Sequence, residues 1–159
     1  MSAAVALQVV TFRLGEDRFA VDIQVVERVL RYQEPTAVPK LPDWVEGVLH
    51  YQSRVIPVLD LRSRFTLERV APRSETRIVV LSAGEQWLGV VVDAVLGVES
   101  LAPEQLSPPP ALFRGLAAEY LRGIARHDET LLIVLDTDRL LTSTERIALE
   151  RMREAAANG

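Results

Sequence analysis

Three apolar runs in the sequence end in aspartate: Ile56–Asp60 (IPVLD), Val90–Asp93 (VVVD) and Leu132–Asp136 (LIVLD). A carboxylate at a strand end can hold Mg²⁺ or accept a phosphoryl group. The companions of that chemistry are missing. There is no Gly-rich phosphate loop, no Walker lysine and no dinucleotide fingerprint, and the single lysine, Lys40, sits in a proline-rich stretch. Each run precedes a segment able to form a short helix, and aspartate is a favoured N-cap. All three are therefore expected to cap rather than catalyse. His50 and His127 are the only histidines, and neither has further ligands at metal spacing. The absence of cysteine removes disulfides, thiolate metal sites and thiol nucleophiles, and no G-x-S-x-G elbow occurs. By subtraction, the polar chemistry is that of a binding module. Its working surfaces are expected on apolar strand faces and at the seam between packed subdomains.

The chain has 159 residues, the size of one ordinary domain. Lys+Arg 18 against Asp+Glu 22 gives a net charge of −4, so no basic excess recommends a nucleic acid or an anionic membrane. The longest apolar stretch, Leu88 to Val98, is broken by Asp93 and is about half of a membrane span. The N-terminus lacks a basic n-region, so no signal peptide and a cytoplasmic location are expected. With 48% hydrophobic but only 6% aromatic residues, the core must be built mainly from Val, Leu and Ile, with Phe12, Phe19, Trp44 and Phe65 inside.

The elements that must position these residues read mostly as strands. Leu7–Leu14 turns at Gly15-Glu16-Asp17 into Arg18–Asp22. Ile23–Arg31 is ambiguous: Ile23, Val26, Val29 and Leu30 have helical spacing, yet the residues are β-branched. Pro35, Pro39 and Pro42 form a rigid connector. Three more hairpins follow: Val45–Tyr51 with Val55–Leu59 around Gln52-Ser53, Arg77–Ala83 with Gln86–Val92, and Tyr120–His127 with Leu131–Leu135. Leu67–Glu75 and Ser107–Pro110 read as loops. Ser143–Ala156 has the strongest helical pattern, with Thr142 and Glu145 fitting a capping box.

An internal echo organises these strands. Trp44-Val45-Glu46-Gly47-Val48 recurs 76 positions later as Tyr120-Leu121-Arg122-Gly123-Ile124, and the Gly-to-Asp spacing to Asp60 and Asp136 is the same in both copies. Four hairpins and this echo suggest two similar small β-barrels made by duplication.

The chain resembles the CheW family of bacterial chemotaxis coupling proteins. The residues that carry the resemblance are Pro39-Lys40-Leu41-Pro42-Asp43-Trp44-Val45-Glu46-Gly47-Val48, Val55-Ile56-Pro57-Val58-Leu59-Asp60-Leu61-Arg62, Phe12-Arg13-Leu14-Gly15, Leu88–Asp93 with Val95 and Val98, and Glu119-Tyr120-Leu121-Arg122-Gly123. The resemblance implies a mainly β fold of two intertwined five-stranded SH3-like barrels with short helices and a C-terminal helix. It implies one domain over 7–141, with approximate halves 15–75 and 76–141, the latter together with the N-terminal strand, and a helical tail over 142–159. It implies a non-catalytic adaptor, without cofactor or metal, that couples the cytoplasmic helical hairpin of a chemoreceptor to a CheA-type histidine kinase. The kinase-binding positions carried over are Val10, Ile23, Val26 and Val29. The receptor-binding positions are Arg28, Gln52, Val95 and Val98. Neither nucleic acid nor membrane insertion is implied. Two departures stand out. Arg28 and Gln52 occupy the places of a Glu and an Arg that pair in many members, and Ser53 replaces a turn glycine. These departures raise an alternative, an adaptor paralogue serving a non-flagellar array for surface sensing, pili or gliding.

Overall fold

The computed structural model describes residues 6–39, 45–64, 67–68, 70–109, 120–127, 129–140 and 151. Trp44, Phe65, Lys40, Asp128 and all of the expected C-terminal helix except Arg151 lie outside them. Eleven strands are present among the described residues: β1 (Leu7–Leu14), β2 (Asp17–Asp22), β3 (Val26–Arg31), β4 (Val45–Tyr51), β5 (Arg54–Leu59), β6 (Arg77–Ala83), β7 (Gln86–Val92), β8 (Ala94–Leu101), β9 (Leu106–Ser107), β10 (Leu121–His127) and β11 (Thr130–Leu135). The ambiguous Ile23–Arg31 divides. Asp22 accepts a hydrogen bond from the Gln24 amide and caps a 3-10 turn over Ile23–Val25. The β-branched residues after it then extend as β3.

The strands form two sheets, in the orders β8-β1-β2-β11-β10-β9 and β3-β6-β7-β5-β4. The second is extended at its end by the chain at Thr36, which exchanges hydrogen bonds of 2.8 and 3.0 Å with Val48 of β4. The two orders are then the same order. β3, β6, β7, β5, β4 and Thr36 stand where β8, β1, β2, β11, β10 and β9 stand. In each sheet one neighbouring pair is parallel, β5 with β7 and β11 with β2. The first sheet has six strands where five were expected, because the two-residue β9 counts as a strand and its counterpart at Thr36 is a single bridge.

The duplication is swapped. In chain order each copy is a hairpin followed by the rest of a barrel: β1–β2 then β3–β5, and β6–β7 then β8–β11. The hairpin of each copy joins the sheet built by the other. The barrels therefore cut across the halves 15–75 and 76–141. β6 and β7 complete the barrel of β3–β5, and β2 sits beside β11. A second echo, Gly15-Glu16 against Gly84-Glu85 with apolar residues flanking both, marks the two hairpins.

Alternation explains how so short a chain fills three cores. On β1, Val10, Phe12 and Leu14 face a core shared by both sheets, with Phe19, Val79, Leu81, Leu88 and Val90. Val9 points the other way, into the first barrel with Ala20, Leu101, Ala125 and Val134. Leu49, Val58 and Ile78 fill the second barrel. Phe12 and Phe19 stack with centroids 6.0 Å apart and are fully buried. Each such side chain contributes about 1.5–3 kcal/mol of burial free energy.

Two glycines and one ion cluster fix how the barrels close. A Cβ on Gly47 would lie 2.6 Å from the Thr36 carbonyl oxygen, and one on Gly123 would lie 2.7 Å from that of Ser107. Both glycines follow a β-bulge in their hairpins. They let the crossing segment approach the strand at the same place in each copy. Elsewhere, Arg62 is buried with its guanidinium between Asp93, to which it donates a hydrogen bond, and Asp60 at 3.8 Å. The second oxygen of Asp93 accepts a 2.7 Å hydrogen bond from the Gly15 amide. The turn of one swapped hairpin is thereby tied to the other barrel.

Candidate functional site

The three aspartates do structural work. Asp60 accepts from the Arg62 amide at 2.9 Å and Asp136 from the Asp138 amide at 3.1 Å, so both begin short 3-10 turns as expected. Asp93 does not cap. The chain runs straight from it into β8, and its carboxylate pairs with Arg62 instead. Among the described residues no group of three or more His, Asp or Glu side chains is placed to hold a metal ion. His50 is exposed. No described helix is long and apolar enough to cross a membrane.

The strands singled out by the resemblance have a relation that the sequence does not show. β3 and β8 occupy the same place in the two barrels, each at the end of its sheet. Each carries a bulge, at Glu27 and at Leu96. Through their partners on β6 and β1, Val26 matches Val95, Arg28 matches Gly97 and Val29 matches Val98. Val26 and Val95 are half-buried and pack against the shared core. Val29 and Val98 point outward, 39% and 58% exposed.

The remaining carried-over residues separate. Val10 is only 6% exposed and faces the shared core. It sits on a central strand between β8 and β2, so it is not available to a partner, a correction to the kinase-binding set. Ile23 is half-buried and lines a groove of about 560 Å³ with Leu7, Leu101, Pro103 and Leu106. Gln52 is exposed in the β4–β5 turn. Gln52 and Ser53 both have positive φ, 48° and 63°, so the turn keeps the backbone that a glycine would adopt freely.

Arg28 has an aromatic neighbour in place of a carboxylate. Its guanidinium lies 5.9 Å from the centroid of the Tyr51 ring, next to Gln52. Tyr51 in turn contacts Trp87 at 6.5 Å between centroids, and Arg54 stacks on Trp87 at 3.9 Å. The four residues come from β3, β4, β7 and β5 and cover one mouth of the second barrel. Arg28 and Gln52 therefore belong to the barrel of Val26 and Val29, not to the one that carries Val95 and Val98. Sequence reasoning did not single out Tyr51, Arg54 and Trp87. The available signal was their alternation with core residues on strands that flank a tight turn. Leu96 and Leu131, 44% and 48% exposed, were also missed.

The fold and the site thus define two swapped SH3-like barrels with matched exposed strands, in which Asp60, Asp93 and Asp136 serve in caps and an ion pair. Comparison with known proteins gives the family. The CheW-like domain matches residues 8–145. The chain is 33% identical over 144 residues to the chemotaxis protein CheW of Klebsiella aerogenes, covering 91% of this chain and 87% of the relative. It is 35% identical over 145 residues to protein FrzA of Myxococcus xanthus, covering 88% of each. The crystal structure of the scaffolding protein TtCheW from Thermoanaerobacter tengcongensis superposes with a TM-score of 0.76 at 28% identity, over 82% of this chain and 84% of that one. The chain belongs to the CheW family.

Proposed function

We infer that the protein is a cytoplasmic, non-catalytic adaptor of a chemotaxis signalling array. It couples the cytoplasmic helical hairpin of a chemoreceptor to a CheA-type histidine kinase. The observation that carries this reading is the equivalence of β3 and β8. The same half-in, half-out valine pair is presented once on each barrel. A coupling protein needs two separate ports, and a duplicated barrel supplies them on one rigid body. Val26 and Val29 are assigned to the kinase, with Ile23 beside them, and Val95 and Val98 to the receptor. Exposed β-branched side chains at a sheet edge suit barrel-to-barrel packing, and an apolar strand face suits a helix. The names of the relatives favour a chemotaxis array over the non-flagellar alternative.

The test is a pair of binding titrations against the kinase regulatory domain and the receptor hairpin from the same genome. Val29→Asp is expected to weaken the first and spare the second, and Val98→Asp the reverse. No complex with either partner at tens of micromolar refutes the coupling role.

A further inference from the structure

We propose that the Arg28–Tyr51–Trp87–Arg54 cluster is a docking platform for an acidic segment, rich in Asp or Glu, of the kinase partner. This rests on the adaptor reading above and adds the chemistry that the second barrel's port selects.

The platform is not needed to close a barrel. The duplication supplies an internal control, because each of the four positions has a counterpart in the other copy. Arg28 matches Gly97, Tyr51 matches His127, Arg54 matches Thr130 and Trp87 matches Arg18, by strand register. The corresponding positions of the first barrel thus carry one arginine and no tyrosine or tryptophan. What is absent from one copy of a shared fold is not a demand of that fold.

Its charge is also uncompensated. Arg28 and Arg54 are exposed, and neither makes an ion pair among the described residues. Each rests on a ring face, which holds the guanidinium in place while leaving its N–H edge free to donate. Two preset, unpaired guanidiniums on a chain of net charge −4 are local features that complement carboxylates. The rings between them are half-buried and offer flat apolar area of the kind that anchors interfaces. Arg28 directly precedes Val29, so the platform is carried by the strand assigned to the kinase, on the face opposite the Val29 side chain. Two cations on an acidic chain are too few for a nucleic-acid track, which favours a protein occupant.

The experiment measures dissociation constants for the kinase regulatory domain and the receptor hairpin, at low and moderate salt, with the full chain and its variants. Arg28→Glu and Arg54→Glu are each expected to weaken kinase-domain binding by about tenfold or more at low salt. Moderate salt is expected to narrow that gap, and the receptor hairpin to bind as before. Trp87→Ala is expected to weaken kinase binding by several-fold. If Trp87→Ala unfolds the protein, Arg54→Gln keeps the ring, removes the charge and must show the same loss. Kinase-domain binding by the two charge reversals within twofold of the unaltered protein overturns the proposal while leaving the adaptor reading intact. Loss of receptor binding alone overturns the chosen occupant. Tight binding of a dT20 oligonucleotide that Arg54→Glu abolishes also overturns it. Failure of the unaltered protein to bind the kinase domain refutes the kinase half of the adaptor reading, and the proposal with it.

Discussion

β3 and β8 occupy the same place in two barrels of the same topology, and they have diverged in a patterned way. The position that packs on the shared core is valine in both, Val26 and Val95. The outward position is valine in both, Val29 and Val98. Between them, the bulge residue is Glu27 in one strand and Leu96 in the other, and the next residue is Arg28 against Gly97. Duplication thus held both members of the valine pair, inward and outward, and changed the two residues between them. β3 is charged there and backed by aromatic rings; β8 is apolar and small there.

The same asymmetry appears where the barrels are joined. Arg62, 4% exposed at its side chain, sits between Asp60 and Asp93, while its counterpart in the other copy is the exposed Asp138. Removing one member of a buried ion cluster leaves uncompensated charge in the interior. Arg62→Ala is therefore expected to lower the unfolding free energy by about 3–5 kcal/mol in urea titrations. Asp138→Ala should cost less than about 1 kcal/mol. Equal costs would show that the cluster does not tie the swapped hairpin to the other barrel.

Where the copies agree, substitutions should agree as well. Gly47→Ala and Gly123→Ala each push a methyl group against a backbone carbonyl at 2.6–2.7 Å. Each is expected to cost about 1–3 kcal/mol by overpacking and displacement of the crossing segment. A large loss at one glycine with none at the other would mean that the two crossings are not equivalent.

Much of this architecture was legible in the sequence, for definite reasons. The hairpins were readable because their turns are marked by Gly-Glu pairs and by Gln52-Ser53 between alternating strands. The Gly47/Gly123 echo was readable because steric need holds glycine at fixed spacing before a capping aspartate. β8 is hidden in the sequence, because its glycine and its bulge at Leu96 interrupt the alternation. The swap was not readable, because which sheet a hairpin joins depends on contacts between residues 31 to 114 positions apart. The burial of Val10 is hidden in the sequence for the same reason. A β-branched residue on a strand looks alike on either face until the neighbouring strands are known, and β1 turned out to be central and covered on both sides. Arg28 was legible as a departure from the family pattern, but its partner Tyr51 emerged only once β3 and β4 were brought together.

The valine pairs provide a finer test of the equivalence. Val26→Asp and Val95→Asp place a carboxylate against the shared core, and each should lower stability by about 1–2 kcal/mol. Val29→Asp and Val98→Asp should leave stability within about 0.5 kcal/mol, because both side chains already face solvent. Thermal melts distinguish these outcomes. A destabilising Val98→Asp would place that residue in the core and remove it as a contact for a partner.

The smallest expected effect lies at the far mouth of the second barrel. Tyr32 lines a cavity of about 200 Å³ there with Pro35, Glu46, Asp60 and Arg62. By strand register its counterpart in the first barrel is Leu101, which cannot ionise. Burial, reinforced by the charges of Glu34 and Glu46, raises the Tyr32 phenol above its ordinary value of 10.0. The folded state therefore favours the neutral phenol, and the unfolded chain ionises first as the solution becomes alkaline. The stabilising contribution is complete below pH 10.0 and is lost as the pH climbs through the folded-state value. Tyr32→Phe should flatten that alkaline decline in urea-derived stability. If the variant declines as steeply as the unaltered protein, the phenol at this mouth is as well hydrated in the fold as in the unfolded chain.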